Sequence, residues 1–402
     1  MRKSPLAVIF ITVFIDLIGF GIVIPLMPFY AETFGATGAH VGLLLSTYSL
    51  MQFLFAPVWG KISDRTGRRP IILLGLLGSA ISYFVFARAH SLGILYLSRL
   101  LAGVAGANIS TTQAYIADST TPENRAKGMG LIGAAFGLGF IFGPAIGGTL
   151  SRYGYDIPGY FAAGLSFVNF VAACFVLPES LRKGPGFSPS SASQRFHWRT
   201  YTQALAHPRL ALLLAIFFTS VIAFANMEST FALFAERQYG YTATETGYVF
   251  AYVGILAVII QGGIIGRLVK KFGEPLLILG GSLLMSLGLC FLSFSKPGFQ
   301  LLSVLAVLTA GSAVCNPSIQ GLISRMTDRE KQGGILGVSQ SLGSLGRILG
   351  PTLGGFVFDR WGHHASFLLG GGCMGIAFLL SVWQLRGWGL PQAETTGSNQ
   401  CR

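Results

Sequence analysis

The chain has 402 residues, of which 52% are hydrophobic and 11% are charged, and its formal net charge is +13. A water-soluble protein of this length would lack the polar side chains needed to cover its surface, so the composition excludes a soluble fold. In a soluble protein the positive charge would suggest nucleic-acid binding, but in an apolar chain its meaning depends on where the basic residues lie.

Apolar stretches of about twenty residues recur along the chain, and each is long enough to cross a hydrocarbon core of about 30 Å. Short charged or Gly- and Pro-containing segments separate them, which is typical of membrane helices. The predicted spans cover, in chain order, residues 6–29, 41–59, 71–88, 93–117, 128–150, 159–177, 210–235, 246–266, 275–294, 299–323, 334–357 and 364–385. We therefore predict an all-α membrane protein with twelve transmembrane helices.

The first span follows Arg2 and Lys3, as the apolar core of a secretion signal would. However, it is longer than such a core, it carries Asp16, and no small-residue cleavage site stands out. We expect this segment to remain in the protein as its first helix.

The basic residues are distributed unevenly between the two sides of the membrane. With the N-terminus inside, 21 of the 28 Lys and Arg residues fall in inner segments and 5 in outer segments. The outer residues are Arg88, Arg152, Arg237, Lys296 and Arg360, and the two remaining ones, Arg99 and Arg347, lie within spans. Because positive residues are retained in the cytoplasm, this bias predicts that both termini are cytoplasmic and explains the net charge without nucleic acid.

An internal repeat relates the two halves of the sequence. Residues 139–148 read GFIFGPAIGG and residues 346–355 read GRILGPTLGG, so both follow the pattern GxxxGPxxGG at an offset of 207. The two further matches are Gly60 and Gly67 with Gly266 and Gly273, and YAETFG from Tyr30 with FAERQYG from Phe234. A repeat of six spans has the same orientation in both copies, which predicts two halves related by an axis along the membrane normal.

The repeat also predicts the domain organisation. The expected parts are an N-terminal six-helix bundle (1–177), a cytoplasmic linker (178–209), a C-terminal six-helix bundle (210–386) and a cytoplasmic tail (387–402). The linker contains GPGFSPSSAS, which is polar and flexible enough to let the halves move as bodies. This is the architecture of an alternating-access transporter.

Three motifs in this frame resemble those of the major facilitator superfamily. GKISDRTGRRP (60–70) is similar to its signature between helices 2 and 3, Arg99 with Gly103 to its second motif, and GPAIGG in the fifth span to its antiporter motif. The stretches FIDLIGFGIVIPLMPFY and APVWGKISDRTGRRP are similar to bacterial drug/proton antiporters, the group of the tetracycline and multidrug efflux pumps. The resemblance implies the major facilitator fold, with two pseudo-symmetric six-helix bundles.

The chain departs from the tetracycline pumps at several positions. Ser82 stands where those pumps carry an acid in helix 3, and ionisable residues of their helices 8 and 9 have no counterpart here, whereas Gln261 does match. The resemblance therefore leaves tetracycline itself open as a substrate.

Two carboxylates lie inside predicted spans. Asp16 is about ten residues into the first span, about 15 Å deep, where an unpaired carboxylate is very unfavourable unless it faces an interior cavity. Glu228 lies in the seventh span, toward its outer end. Each is a candidate for proton coupling or substrate contact, as the resemblance also implies. The alternatives are a hydrogen-bonded structural acid for Asp16 and a stabilising ion pair for Glu228.

Two arginines also lie inside predicted spans. Arg99 either lines the cavity and relays protons, as the resemblance implies, or extends its long side chain to the surface. Arg347 is too deep for that and must meet a carboxylate, carbonyl oxygens or water, and Glu228 and Asp16 are the carboxylates available within the spans.

The motif between spans 2 and 3 has a mechanical interpretation. Its residues would hold neighbouring helix ends together by close approach, capping and ion pairs, with Asp118 as a partner of Arg68. The resemblance implies an inner latch that stabilises the outward-open state, formed by Gly60, Asp64, Arg65, Gly67, Arg68 and Asp118. The second copy has Lys270 in place of Asp64, which predicts a weaker latch there. The alternative is that the arginines serve topology alone.

The antiporter motif and the polar residues within spans complete the candidate sites. The motif residues are Gly139, Gly143, Pro144, Gly147 and Gly148, whose glycines allow tight packing and whose proline bends the helix. The polar residues are Gln52, Asn108, Gln113, Gln261, Asn316 and Gln340, which line the cavity or bond between helices.

These features predict a proton-coupled antiporter that exports amphipathic, drug-like small molecules by alternating access. No GxxxxGK[ST], HExxH or nucleophile-and-base pattern occurs in the sequence, so we expect no enzyme activity, no cofactor or metal, and a proton gradient as the energy source. The expected partners are protons, a small-molecule substrate and the lipid of a bacterial inner membrane, with the protein as a monomer. The alternatives are a major facilitator transporter of a metabolite such as a sugar and, less consistent with duplicated halves and short outer loops, a channel or receptor.

Overall fold

The computed structural model describes residues 5–121, 125–181, 207–327 and 332–386. The predicted linker falls mostly outside these residues, and the predicted tail falls outside them entirely. Within the described residues the chain is a bundle of long helices, which confirms the predicted all-α membrane fold.

The helices are numbered here by membrane crossing. They are Pro5–Val23 followed by the short Met27–Glu32 (α1), Gly38–Thr66 (α2), Arg68–Ala87 (α3), Leu92–Gly106 continued by Ile109–Asp118 (α4), Arg125–Leu150 (α5), Ile157–Val176 (α6), Pro208–Tyr239 (α7), Ala243–Ile259 continued by a π-helical turn Ile260–Ile264 and the first part of Ile265–Leu292 (α8), the rest of Ile265–Leu292 (α9), Phe299–Arg325 (α10), Gln332–Trp361 (α11) and His363–Arg386 (α12).

Ten stretches of the described residues are long and apolar enough to cross a membrane. One of them, Ala243–Leu292, contains both α8 and α9, which meet at Gly273. The remaining long helix among the described residues is α11, which carries Gln340, Ser344 and Arg347 between its first turns and its centre. The structure is therefore consistent with the twelve predicted spans.

Glycines with positive φ separate α2 from α3 and α8 from α9. Gly67 has φ 113° and ψ 158°, and Gly273 has φ 74° and ψ 158°. Residues other than glycine rarely adopt this region of backbone conformation. The two positions are thus the repeated glycines of the sequence, and each reverses the chain between a pair of helices.

The first six helices and the last six are packed in the same way. In the first bundle α1 lies against α5 and α3 against α4 and α6, and in the second α7 lies against α11 and α9 against α10 and α12. The main contacts between the bundles in the described residues are those of α2 with α11 and of α5 with α8. The matching partners extend the sequence repeat into three dimensions.

The two membrane sides differ in how closely the bundles approach. We call the side where α2 meets α3 the Gly67 side and the side where α1 meets α2 the Gly35 side. On the Gly35 side one continuous apolar core includes Leu44 of the first bundle and Phe231 and Phe358 of the second. On the Gly67 side the first bundle has a separate core around Leu76 and Tyr115. In the part of the chain that the structure describes, the bundles therefore share a core on the Gly35 side and not on the Gly67 side.

Candidate functional site

The two antiporter-type motifs form the seam between the bundles. A Cβ built on Gly42 of α2 would collide with the carbonyl oxygen of Pro351 in α11, and one built on Gly247 of α8 would collide with that of Pro144 in α5. The two contacts are related by the internal repeat. Backbone thus meets backbone across the seam, and a larger side chain at either glycine would separate the bundles.

Polar contacts reinforce the seam on the Gly35 side. Asp359 at the end of α11 accepts hydrogen bonds from the backbone N–H groups of Gly38 and Ala39 at the start of α2, at 2.9 Å and 2.8 Å. Ser46 of α2 donates to the carbonyl oxygen of Ile348, at 2.6 Å. These bonds join residues more than 300 positions apart, and the sequence carried no local signal for them.

A second set of seam contacts joins α5 to α8 and α1 to α7. Thr244 donates to the carbonyl oxygen of Gly148 at 2.7 Å, so the last glycine of the antiporter motif touches the opposite bundle. Arg237 pairs with Glu32 at 3.4 Å. These two residues belong to the matched sequences that end α1 and α7, which the repeat analysis had paired.

On the Gly67 side the same four helices diverge. A Cβ built on Gly60 of α2, Gly130 of α5, Gly262 of α8 or Gly337 of α11 would have no atom within 4 Å. Glycines of these helices are in close contact on the Gly35 side. Together with the separate apolar cores, these open positions indicate that the described residues leave a cleft between the bundles, open on the Gly67 side and closed at the seam.

Asp16 lies in the first bundle beside this cleft. Its side chain is half-buried, and its Oδ1 atom is buried without a hydrogen-bond partner among the described atoms. Tyr48 and Tyr83 are its electrostatic neighbours, and the Tyr83 ring packs on Gly19 of the same helix as Asp16. The Asp16 side chain thus lies partly inside the first bundle, with one carboxylate oxygen unsatisfied.

Arg99 is buried within the first bundle and does not extend to the surface. Its relative exposure is 3%, and its guanidinium lies 5.5 Å from the centre of the Phe86 ring. The Nη2 atom has no hydrogen-bond partner among the described atoms. Arg99 also interacts electrostatically with Tyr48 and Tyr83. Of the two interpretations of Arg99, the structure favours the interior one.

Glu228 and Arg347 are electrostatic neighbours in the second bundle. Among the described residues, however, Arg347 has no carboxylate within the 4.0 Å of an ion pair. Its Nη2 atom donates to the Ser344 hydroxyl at 3.2 Å, and its side chain is exposed. The hypothesis of a direct pair with Glu228 or Asp16 is therefore wrong for this conformation.

Tyr48 is an electrostatic neighbour of charged residues in both bundles, and sequence reasoning missed it. Its hydroxyl accepts a hydrogen bond from Gln52 at 3.4 Å and is an electrostatic neighbour of Asp16, Arg99 and Arg347. A tyrosine one helical turn from a predicted cavity glutamine was the available signal. The sequence could not show that Tyr48 lies near Arg347, because the two residues belong to different bundles.

The six polar residues predicted for the cavity divide into two groups. Gln52 donates to the carbonyl oxygen of Gly106 at 3.1 Å, Asn316 accepts from Ser220 at 2.8 Å, and Asn108 is buried against Gly75. These three residues join helices. The other three, Gln113, Gln261 and Gln340, are exposed.

The motif between α2 and α3 holds three helix ends together. Arg68 pairs with Asp64 at 2.6 Å and, as predicted from the sequence, with Asp118 at 3.0 Å. The backbone N–H groups of Arg68 and Arg69 donate to the carboxylate of Glu179 at 2.9 Å and 3.1 Å, a cap that the sequence did not reveal. The ion-paired residues belong to the first bundle, and Glu179 follows the end of α6, at the start of the predicted linker.

The second copy of this motif has an ion pair of its own with the charges exchanged. Glu274, directly after Gly273, is buried and pairs with Arg325 at the end of α10 at 2.8 Å. Glu274 and Arg325 occupy the repeat positions of Arg68 and Asp118. The comparison of Lys270 with Asp64 alone had overlooked this pair.

Known proteins resemble this chain over most of its length. The sequence model of the Major Facilitator Superfamily matches residues 9–324 and 262–397. The class C tetracycline resistance protein of Escherichia coli is 36% identical over 361 residues, covering 87% of this chain and 89% of that protein. Multidrug resistance protein 2 of Bacillus subtilis (strain 168) is 31% identical over 388 residues, covering 95% of this chain and 96% of that protein.

Solved structures also share the fold. The human organic anion transporter MFSD10 superposes with a TM-score of 0.70 at 26% identity, covering 94% of this chain and 99% of that one. The nucleoside transporter NupG superposes with a TM-score of 0.77 at 14% identity, covering 96% of this chain and 100% of that one, and this likeness concerns the fold alone.

Proposed function

The chain belongs to the major facilitator superfamily, and we propose that it is a proton-coupled antiporter that exports amphipathic, drug-like compounds. The relatives named for tetracycline and multidrug resistance support this choice of substrates. We further propose that the Gly67 side is cytoplasmic, in accord with the excess of basic residues there. The cleft then opens to the cytoplasm, from which an exporter collects its substrate.

The observation that carries the proposal is the unsatisfied, buried oxygen of Asp16 beside the cleft. A carboxylate with one buried, unsatisfied oxygen is stabilised either by a proton or by a cationic group of a substrate. Binding of one therefore competes with binding of the other. If protons reach Asp16 when the protein opens outward, and substrate reaches it when the protein opens inward, this competition couples the two fluxes.

The other charged residues support this cycle in distinct ways. Glu228 is the second candidate carboxylate, and it is half-buried in the second bundle. Arg99 places a buried positive charge near the two tyrosines that neighbour Asp16. The cycle requires the Gly35-side seam to open while the Gly67 side closes. The resemblance implies that the Arg68 motif latches that second state, and the ion pairs of Arg68 with Asp64 and Asp118 keep the first bundle's helix ends together in the conformation seen here.

The test uses everted membrane vesicles, in which the cytoplasmic face is outside. With an acidic interior, wild-type vesicles should accumulate a fluorescent amphipathic drug and release it when the pH gradient is collapsed. Asp16→Asn should abolish this gradient-driven accumulation, and Glu228→Gln should reduce it. The control is Asp156→Asn, a carboxylate between α5 and α6 on the Gly35 side. Wild-type accumulation by both cleft variants would overturn the proposal.

A transporter of a metabolite is the second candidate function. The likeness to the human organic anion transporter favours it, because that protein is 26% identical along nearly its whole length. Uptake of a panel of labelled sugars and organic anions into the same vesicles separates the two functions. Transport of a metabolite without any transport of drugs would favour this second candidate.

A further inference from the structure

One face of α11 passes from the seam into the cleft. Near its end this face packs on α2, where Thr352 contacts Ser46 and the carbonyl oxygen of Pro351 lies against Gly42. Earlier in the helix, positions on the same face follow at intervals of three or four residues. They are Arg347, Ser344, Gln340 and Gly337. Residues spaced in this way lie on one side of a helix, so the polar face of α11 borders the cleft where α2 and α11 separate.

Arg347 is accessible at the middle of the membrane. It lies near the centre of Gln332–Trp361, about 20 Å from either end at 1.5 Å per residue. A guanidinium at this depth cannot reach an aqueous surface, yet the side chain is exposed. Its electrostatic neighbour Tyr48 belongs to the opposite bundle. The side chain therefore faces the space between the bundles rather than lipid.

The guanidinium keeps most of its hydrogen-bonding capacity free. Arginine has five N–H donors, and the contact with Ser344 uses one of them. Its side chain folds back along α11, with Nη1 3.7 Å from a Cβ built on Gly343, so it points toward the open Gly67 side. The neighbouring Glu228 is too far away for an ion pair. Arg347 is thus a positively charged side chain near the closed end of the cleft, and its free N–H donors are accessible to a ligand.

Charge balance defines the ligand chemistry. A mid-membrane guanidinium is stabilised best by an oxyanion that accepts two parallel hydrogen bonds, as a carboxylate does. Asp16 and Glu228 lie near the same cleft and offer negative charge to a cationic group. A ligand that satisfies both kinds of residue carries an anionic and a cationic group on one amphipathic frame.

We propose that Arg347 binds the anionic group of the transported compound and that the substrates are zwitterions, whose cationic group interacts with Asp16 or Glu228. This inference rests on the proposed export function and adds the substrate class. The oxyanion takes the free donors of Arg347, and the aromatic or aliphatic frame occupies the cleft. Compounds that lack the oxyanion lose this contact while keeping the others.

The experiment compares two compounds that differ in one charge. The first is a fused-ring aromatic carboxylic acid with a distal secondary amine, and the second is its methyl ester, which keeps the ring and the amine. Uptake of each into everted vesicles is measured for the wild type, Arg347→Gln and Arg347→Lys. Tetraphenylphosphonium, a lipophilic cation, serves as a third substrate.

We expect wild-type vesicles to transport the acid more efficiently than the ester. Arg347→Gln should lower kcat/KM for the acid about tenfold or more, the size of one lost charge-assisted hydrogen bond. It should change kcat/KM for the ester less than twofold, so that the preference disappears. Arg347→Lys should retain an intermediate preference, because it keeps the charge but loses the two-pronged geometry.

A binding measurement on the wild type keeps the test independent of how the variants fold. The acid should raise the thermal unfolding temperature of the purified protein more than the ester at equal concentration, because a ligand that binds the folded state stabilises it. Equal shifts, or equal losses of acid and ester transport in Arg347→Gln, would overturn the inference. If the wild type carries only tetraphenylphosphonium, the inference fails while the export function stands. If it carries none of the three compounds, the export function itself fails.

Discussion

The carboxylate of Asp359 in α11 caps the first turn of α2 by accepting a hydrogen bond from the N–H group of Gly38, 321 positions away. One bundle thus supplies the cap for a helix of the other. Since an N-terminal cap satisfies N–H groups that have no partner within their own helix, opening the seam on this side would expose these groups again.

Loss of this cap should favour the conformation that is open on the Gly35 side. We expect Asp359→Ala to destabilise the closed seam by about 0.5–2 kcal/mol, the usual cost of a lost cap, which changes the ratio of the two conformations about 2- to 30-fold. Spin labels at Leu43 and Leu353, which are exposed on α2 and α11, would report the change as a longer distance. Asp359→Asn, which keeps one acceptor oxygen, should shift the ratio less.

Replacement of a seam glycine should have a similar effect through steric overlap. The Cβ of Gly42→Ala would collide with the Pro351 carbonyl oxygen, which is backbone and cannot rotate away. Overpacking of this kind costs about 1–3 kcal/mol, so the labelled distance should lengthen. The matched control is Gly130→Ala, where nothing lies within 4 Å and alanine favours the helix. Equal distances in both variants would contradict the seam assignment.

Loss of Glu274 and loss of Arg325, the ion pair of the second bundle, should lower the free energy of unfolding by different amounts. The side chain of Glu274 is 8% exposed, whereas that of Arg325 is 67% exposed. Arg325→Gln leaves a buried carboxylate without its cation and should lower the free energy of unfolding by about 1–3 kcal/mol. Glu274→Gln leaves an arginine that can be hydrated, so its effect should be smaller. Thermal unfolding of both variants in detergent measures the difference, and the reverse order would contradict this explanation.

Gly67 should tolerate no side chain, because of its backbone conformation and its neighbour. Its φ is 113°, and a Cβ there would collide with the carboxylate of Glu179, which caps α3. Gly67→Ala should therefore lower the free energy of unfolding by about 1–3 kcal/mol. Gly60→Ala, in the same motif but with open space around it, is the control and should be neutral or slightly stabilising. Thermal unfolding of the two variants checks this contrast.

Much of the fold follows from local properties of the sequence. The length of the apolar stretches decides which segments can cross a bilayer, and the repeat of GxxxGPxxGG decides that the halves are alike. Asp16, Glu228, Arg99 and Arg347 were recognisable because a charged residue within an apolar stretch stands out against its neighbours. The Arg68–Asp118 contact was predictable because both residues end helices on the same side of one bundle.

The tertiary structure alone decided what those residues face. Tyr48, Asp359, Glu179 and Glu274 are ordinary polar residues by sequence, and each is important only through a partner that the fold brings to it from another helix. Likewise, hydropathy shows that Arg347 is deep, but not that it lies in the cleft without a carboxylate partner. The physical reason is that hydropathy and periodicity describe each helix by itself. The seam and the cleft depend on how helices from the two bundles pack against one another.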